Sequence, residues 1–204
     1  IEEGIQNLSE SETAPDFIFA EGSQILGHNF KLKNGVQFVY NPSQKQKLLK
    51  EALKAAKKAD TVVMCLGEHQ QMTGEAASRS RLVIPEEQME LLREVAKLNK
   101  NIITLIFSGR PLELQEISNL SKAVMYVWYP GCECGNAVSD VLFGKQEPGG
   151  RLPMSFPYTT GQEPAYYNRF RTGRPNNGTL EQGFVNGFID QIDRNLYPFG
   201  FGLT

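Results

Sequence analysis

Histidine and tryptophan are nearly missing from this sequence: His28, His69 and Trp128 are all there is of either. There are three cysteines, Cys65, Cys132 and Cys134, and an odd count in 204 residues does not make a disulfide framework. Cys132-x-Cys134 has the look of half a metal site. No second Cys pair or His pair accompanies it, so loop or packing thiols are the ordinary reading and no metal is expected. No apolar run approaches the roughly 18 residues that a membrane span needs. Net charge is -2, with neither a basic stripe nor an acidic run, so nothing asks for nucleic acid or an anionic membrane as partner. G-x-G-x-x-G after a strand is absent, as is G-x-x-x-x-G-K-[ST]. The G-x-S-x-G nucleophile elbow is absent too. These gaps weigh against dinucleotide, phosphate-loop and serine-hydrolase readings, and no cofactor is expected. No repeat of 20 to 50 residues appears. The chain opens Ile-Glu-Glu-Gly, without an initiator Met or a signal peptide, and reads as a processed or excised segment.

What is present is an ordinary globular mix, 40% hydrophobic and 22% charged, enough for a sizeable core. Three short apolar runs, Thr61–Leu66, Ile102–Phe107 and Ala123–Trp128, lack clean alternation and read as strands covered on both faces. Phe17–Ala20 and Val36–Tyr40 are weaker strand candidates. Helical periods lie between them. Ser43–Lys58 carries Leu48, Leu49, Ala52 and Ala56, with Ala59 just past its end, near a helical period, and lysines on the other face. A second helix starts at Pro85, with Glu86 and Glu87 in its first turn and Leu91, Leu92, Val95 and Leu98 as its stripe. A shorter helix is expected from Pro111. Another covers Gly135 to Phe143, with Val138, Val141 and Leu142 inward and Gly144 as its stop. The alternation predicts an α/β domain with a mainly parallel sheet. Residues 1–150 form this core. Residues 151–204, rich in Gly, Pro, Asn, Tyr and Phe, form a loop-rich arm packed on it.

Open parallel sheets bind ligands at the carboxyl ends of their strands. Three segments emerge there: Gly67–Ser80, Ser108–Pro111 and Tyr129–Gly135. The first is long, polar and holds two carboxylates with an arginine. Glu75 follows Gly74, where backbone can come close to a ligand, and a carboxylic acid near bound substrate can act as a proton donor. On composition alone the plainer reading of Glu75 is a solvated loop carboxylate, paired with Arg79. Glu68, directly after the strand, suits a structural hydrogen-bonding role better than a catalytic one. His69 reads as a loop hydrogen-bonder. Arg110 reads as part of an ion pair tying loops together, and Glu133 as a carboxylate at the positive end of a helix dipole; the two could pair. Trp128 and Tyr129 could form a sugar-stacking platform, although strand-end aromatics are usually core.

At these loops a resemblance appears. Ala59–Val63 leading into Gly67-Glu68 and then Thr73-Gly74-Glu75-Ala76-Ala77-Ser78-Arg79 resembles the second domain of family 3 glycoside hydrolases, particularly bacterial β-glucosidases. Ser108-Gly109-Arg110-Pro111 is similar to that domain's G-R-P turn, and Trp128–Ala137 to its W-x-P-G-x-E-x-G-x-A segment. Pro148–Pro153, Tyr166-Tyr167-Asn168 and Leu196–Leu203 resemble three further signatures. The agreement runs over about residues 59–204, in order; residues 1–58 match loosely. The segment departs from the family pattern in carrying Cys134 after Glu133.

The resemblance implies a three-layer sandwich whose mostly parallel sheet has about six strands, one edge strand antiparallel, with the first strand falling before this chain begins. It implies retaining hydrolysis of β-glycosides from the non-reducing end, with a β-glycoside substrate. The aspartate nucleophile would come from a preceding barrel domain of the same polypeptide. Glu75 is the position that matches the acid/base, with Met72, Thr73 and Arg79 as neighbours of the sugar site. Retaining chemistry needs two carboxyl groups about 5–5.5 Å apart, so this segment alone would be inactive. The family also favours a periplasmic or extracellular location. Two other readings stand beside it: a non-catalytic lobe that binds carbohydrate or props up a partner domain, and a nucleotide-binding α/β protein.

Overall fold

The computed structural model describes residues 2–8, 16–24, 31–32, 36–37, 41–170, 173–176 and 184–203. The elements in chain order are α1 (Glu2–Leu8), β1 (Lys31–Leu32), β2 (Val36–Gln37), α2 (Pro42–Ala56), β3 (Val62–Gly67), α3 (Glu86–Leu98), β4 (Ile102–Phe107), α4 (Gln115–Leu120), β5 (Ala123–Tyr126) and α5 (Cys134–Leu142). Two compact units emerge. The first comprises residues 1–78, 84–109 and 117–146; the second comprises 79–83, 110–116 and 147–204.

The first unit is built on a parallel sheet in the order β3-β4-β5. Val62 faces Ile102 and Gly67 faces Phe107, while Ile106 faces Tyr126, so the three strands end level at one edge. The described residues hold these three parallel strands and a separate antiparallel pair, β1 with β2. β4 has the two-faced burial expected of it, with Ile102, Leu105 and Ile106 fully enclosed. β3 does not. Met64 and Leu66 are buried, but Val63 is 39% exposed and Cys65 is exposed. A short apolar run cannot tell one-faced from two-faced cover, which is why the sequence misled here.

The helices follow local rules. Asn41 caps α2 by accepting hydrogen bonds from the Ser43 and Gln44 amides, with Pro42 in the first turn, so the helix begins one residue before Ser43. Leu48, Ala52 and Ala56 are its buried stripe. α3 has Glu86 and Glu87 in its first turn, and Lys100 donates to the Ala96 carbonyl near its other end. Leu91, Leu92 and Val95 are buried as expected; Leu98, in the last turn, is 49% exposed. α2 packs against α3, and α1 against α5. α5 buries Val138 and Ser139, with Val141 and Leu142 only half-buried, and stops at Gly144 in the left-handed region.

Three expected elements differ. β5 ends at Tyr126, and Trp128 has a φ of 59°, a left-handed conformation no strand accommodates. The helix expected from Pro111 starts at Gln115, because the Glu113 amide donates to the Leu82 carbonyl (2.7 Å) rather than joining a helix. Phe17–Ala20 forms no strand. Val36–Gln37 pairs with Lys31–Leu32, while residues 38–40 of that candidate, and His28, lie outside the described residues.

The second unit is mostly loops. Phe156 is fully buried and bridges Tyr197 in antiparallel fashion, its amide donating to the Tyr197 carbonyl at 2.8 Å. The Leu152 amide donates to the Phe201 carbonyl (2.9 Å), and Tyr197 stacks on Phe201 with centroids 4.9 Å apart. The Glu113 carboxylate accepts from both the amide and the hydroxyl of Thr160, each at 2.6 Å. The same hydroxyl oxygen accepts from the Leu82 amide at 2.8 Å. No helix among the described residues is long and apolar enough to cross a membrane.

Candidate functional site

The edge where β3, β4 and β5 end is held by backbone and buried polar groups. Gly67 closes β3. A Cβ there would lie 2.0 Å from the Phe107 carbonyl oxygen, so only glycine lets the two strands stay paired. Gln88, buried on α3, grips the same residue twice: its Oε1 accepts from the Gly67 amide (2.8 Å) and its Nε2 donates to the Gly67 carbonyl (2.9 Å). The Glu68 amide donates to the Phe107 carbonyl at 2.9 Å, and buried Ser108 donates its hydroxyl to Glu68 Oε2 at 2.7 Å. Glu68 thus fastens the first loop to the second, the structural role expected of it.

Beyond this base the first loop rises. His69 Nδ1 accepts from the Gln71 amide (3.2 Å), which starts a single 3₁₀ turn over Gln70–Met72. His69 is a loop hydrogen-bonder, as its sequence setting suggested. Met72 is buried and plugs the loop into the unit. Thr73 then runs extended. Gly74, Glu75, Ala76 and Ala77 form a tight turn, closed by the Ala77 amide on the Gly74 carbonyl (3.2 Å), with Ala76 at a φ of 57°. Glu75 occupies the second position of that turn and is exposed. Arg79 falls in the second unit, half-buried, where its Nη1 donates to the Val83 carbonyl at 2.9 Å.

The third loop supplies what the sequence did not disclose. Trp128 packs edge-on against Tyr126, with centroids 4.6 Å apart. Tyr129 is 61% exposed, and its hydroxyl donates to Thr73 Oγ1 at 2.5 Å. No local pattern announces a bond between residues 56 apart. Glu133 precedes α5 and accepts from the Asn136 amide side chain at 2.7 Å, which needs no catalytic explanation. Among the described residues no cluster of three His, Cys, Asp or Glu side chains could hold a metal.

The geometry is that of an open α/β domain whose strand ends gather three loops and present a carboxylate on the longest, the class that binds its ligands at this edge. The chain belongs to the glycosyl hydrolase family 3 C-terminal domain family, which matches residues 1–204. It is 40% identical over 164 residues to a periplasmic beta-glucosidase of Salmonella typhimurium, an overlap covering 80% of this chain and 21% of that protein. A beta-xylosidase of Formosa agariphila is 37% identical over 154 residues, covering 76% of this chain and 20% of that protein. Among solved structures, a β-glucosidase from Erythrobacter marinus superposes with a TM-score of 0.82 at 29% identity, covering 98% of this chain and 27% of that one. The beta-glucosidase from Listeria innocua in complex with isofagomine gives 0.73 at 38% identity, covering 81% and 23%. The chain therefore spans about a fifth of the length of the curated relatives it matches.

Proposed function

We propose that this chain is the acid/base-bearing lobe of a retaining, exo-acting β-glycosidase, with β-glucosides as the first substrate class to test. Glu75 protonates the glycosidic oxygen as the bond to the leaving group breaks. It then takes a proton from the water that releases the glycosyl-enzyme. The covalent nucleophile, an aspartate, comes from an N-terminal barrel domain of the same polypeptide. Met72, Thr73 and Arg79, from the same stretch of sequence, are the candidate neighbours of the sugar. The sheet extends to about six strands in a three-layer sandwich, with residues 151–204 as an arm of the same domain. The likeness to beta-glucosidases and a beta-xylosidase supports a pyranoside bound through its non-reducing end.

One observation carries this reading: Glu75 stands exposed at the tip of a turn above the carboxyl ends of the sheet. An acid serving a cleft shared with a neighbouring domain has to be presented in this way. The decisive experiment is Glu75→Ala in the full-length polypeptide. Turnover of a natural disaccharide should fall by about 10²–10⁴-fold, the usual contribution of general acid–base catalysis, and azide should restore turnover of an activated aryl glycoside. Undiminished turnover removes Glu75 from the mechanism.

A further inference from the structure

Resting on that reading of Glu75, we infer that Tyr129 is a positioning residue for the acid, acting through its hydrogen bond to Thr73. The turn that carries Glu75 is closed by the Ala77 amide on the Gly74 carbonyl. Gly74, Glu75 and Ala76 are all exposed, and below them Met72 is the loop's buried anchor. Thr73 lies between that anchor and the turn. Its hydroxyl oxygen accepts a hydrogen bond from the Tyr129 hydroxyl, oxygen to oxygen 2.5 Å, so the β5 loop tethers the β3 loop two residues before the carboxylate. The β4 loop makes room for the tether. Gly109 sits beneath the tyrosine ring, where a Cβ would fall 2.3 Å from the Tyr129 Cε2 atom. One loop thus supplies the donor, one the acceptor and one the space. An exposed hydrogen bond of this kind contributes little to folding, but a proton donor must be held within about 0.5 Å of its productive position, so the bond's effect falls on rate.

The test uses the full-length enzyme and two substrates of different leaving-group basicity. Protonation matters for a methyl β-glycoside and hardly at all for a 2,4-dinitrophenyl β-glycoside, so kcat/KM for the pair separates acid placement from general damage. Tyr129→Phe and Thr73→Val should each lower kcat/KM for the methyl glycoside by about 10-fold and for the dinitrophenyl glycoside by less than about 3-fold. Thr73→Ser keeps the acceptor and should recover most of the methyl-glycoside loss that Thr73→Val shows; a Ser variant as impaired as the Val variant counts against the hydrogen bond as the cause. Combining Tyr129→Phe with Thr73→Val should cost no more than either alone, because the two remove one interaction. Glu75→Gln is the control. If it shows the leaving-group dependence while Tyr129→Phe loses equally on both substrates, or on neither, the positioning role is overturned and Glu75 stands. If Glu75→Gln lacks that dependence, Glu75 is not the acid and the role of Tyr129 falls with it.

Discussion

Ser108 donates its hydroxyl to Glu68 across 2.7 Å and so joins the end of β4 to the end of β3. Ser108 is fully buried and Glu68 half-buried, which makes the bond a charge-assisted one with limited access to water. Ser108→Ala should destabilise the domain by about 1–3 kcal/mol, read as a lower urea midpoint with an unchanged m-value.

Gln88 predicts a larger loss. It satisfies both the amide and the carbonyl of Gly67, and both partners are buried. Gln88→Leu retains the volume but strands two backbone groups. It should cost about 2–5 kcal/mol, at the level of two unsatisfied buried polar atoms. Amide hydrogen exchange at Gly67 should accelerate sharply, since that N–H has Gln88 as its acceptor. Gln88→Glu keeps an acceptor for the amide but turns a buried carboxylate oxygen on the Gly67 carbonyl, so its loss should shrink as pH falls and the protonated carboxyl can donate.

The Glu113–Thr160 pair makes a prediction for the second unit alone. One carboxylate oxygen accepts both from the Thr160 amide and from its hydroxyl. Glu113→Ala should loosen the unit by about 2 kcal/mol. Limited trypsin digestion should then cut faster at Arg169 and Arg194, while Arg93, on α3 of the first unit, keeps its protection.

Thiol reactivity should rank the cysteines. Burial pushes the Cys65 thiol above its ordinary pKa, although the residue as a whole is exposed. The thiolate is the reactive form. Cys65 and Cys132 both count as exposed residues, so iodoacetamide near pH 8 tests the burial of the Cys65 thiol itself: mass spectrometry should find Cys132 modified before Cys65. The folded state holds the Cys65 proton more tightly than the unfolded chain does. Stability from this group is therefore intact below the unfolded thiol pKa of about 8.5 and declines as pH rises beyond it.

Much of the sheet was legible. Ile102–Phe107 was read with its observed ends, and the starts of β3 and β5 were read within a residue, because dense β-branched runs bounded by polar residues leave little choice. The misplaced element ends have local and long-range causes. Trp128 turns left-handed two residues past the end of β5, and Glu113 leaves the helix direction for a backbone bond to Leu82 far back in the chain; local periodicity registers neither. The site divides the same way. Glu75 could be singled out because it follows a strand and matches a family motif. Tyr129 was noticed only as a ring to stack on; its hydroxyl bond to Thr73 exists because the register of three parallel strands brings two loops level. The double grip of Gln88 on Gly67 gave no signal either, since a glutamine in an apolar stripe looks like an interruption.

The way the backbone is shared between the two units has a practical consequence. It passes from one to the other at 78/79, 83/84, 109/110, 116/117 and 146/147. No single scission separates them. A peptide stopping at 146 retains Leu82 and Glu113 but loses Thr160, and a peptide starting at 147 has the reverse deficit. Neither unit is one continuous peptide, so transplanting either intact onto a foreign scaffold means carrying the other with it.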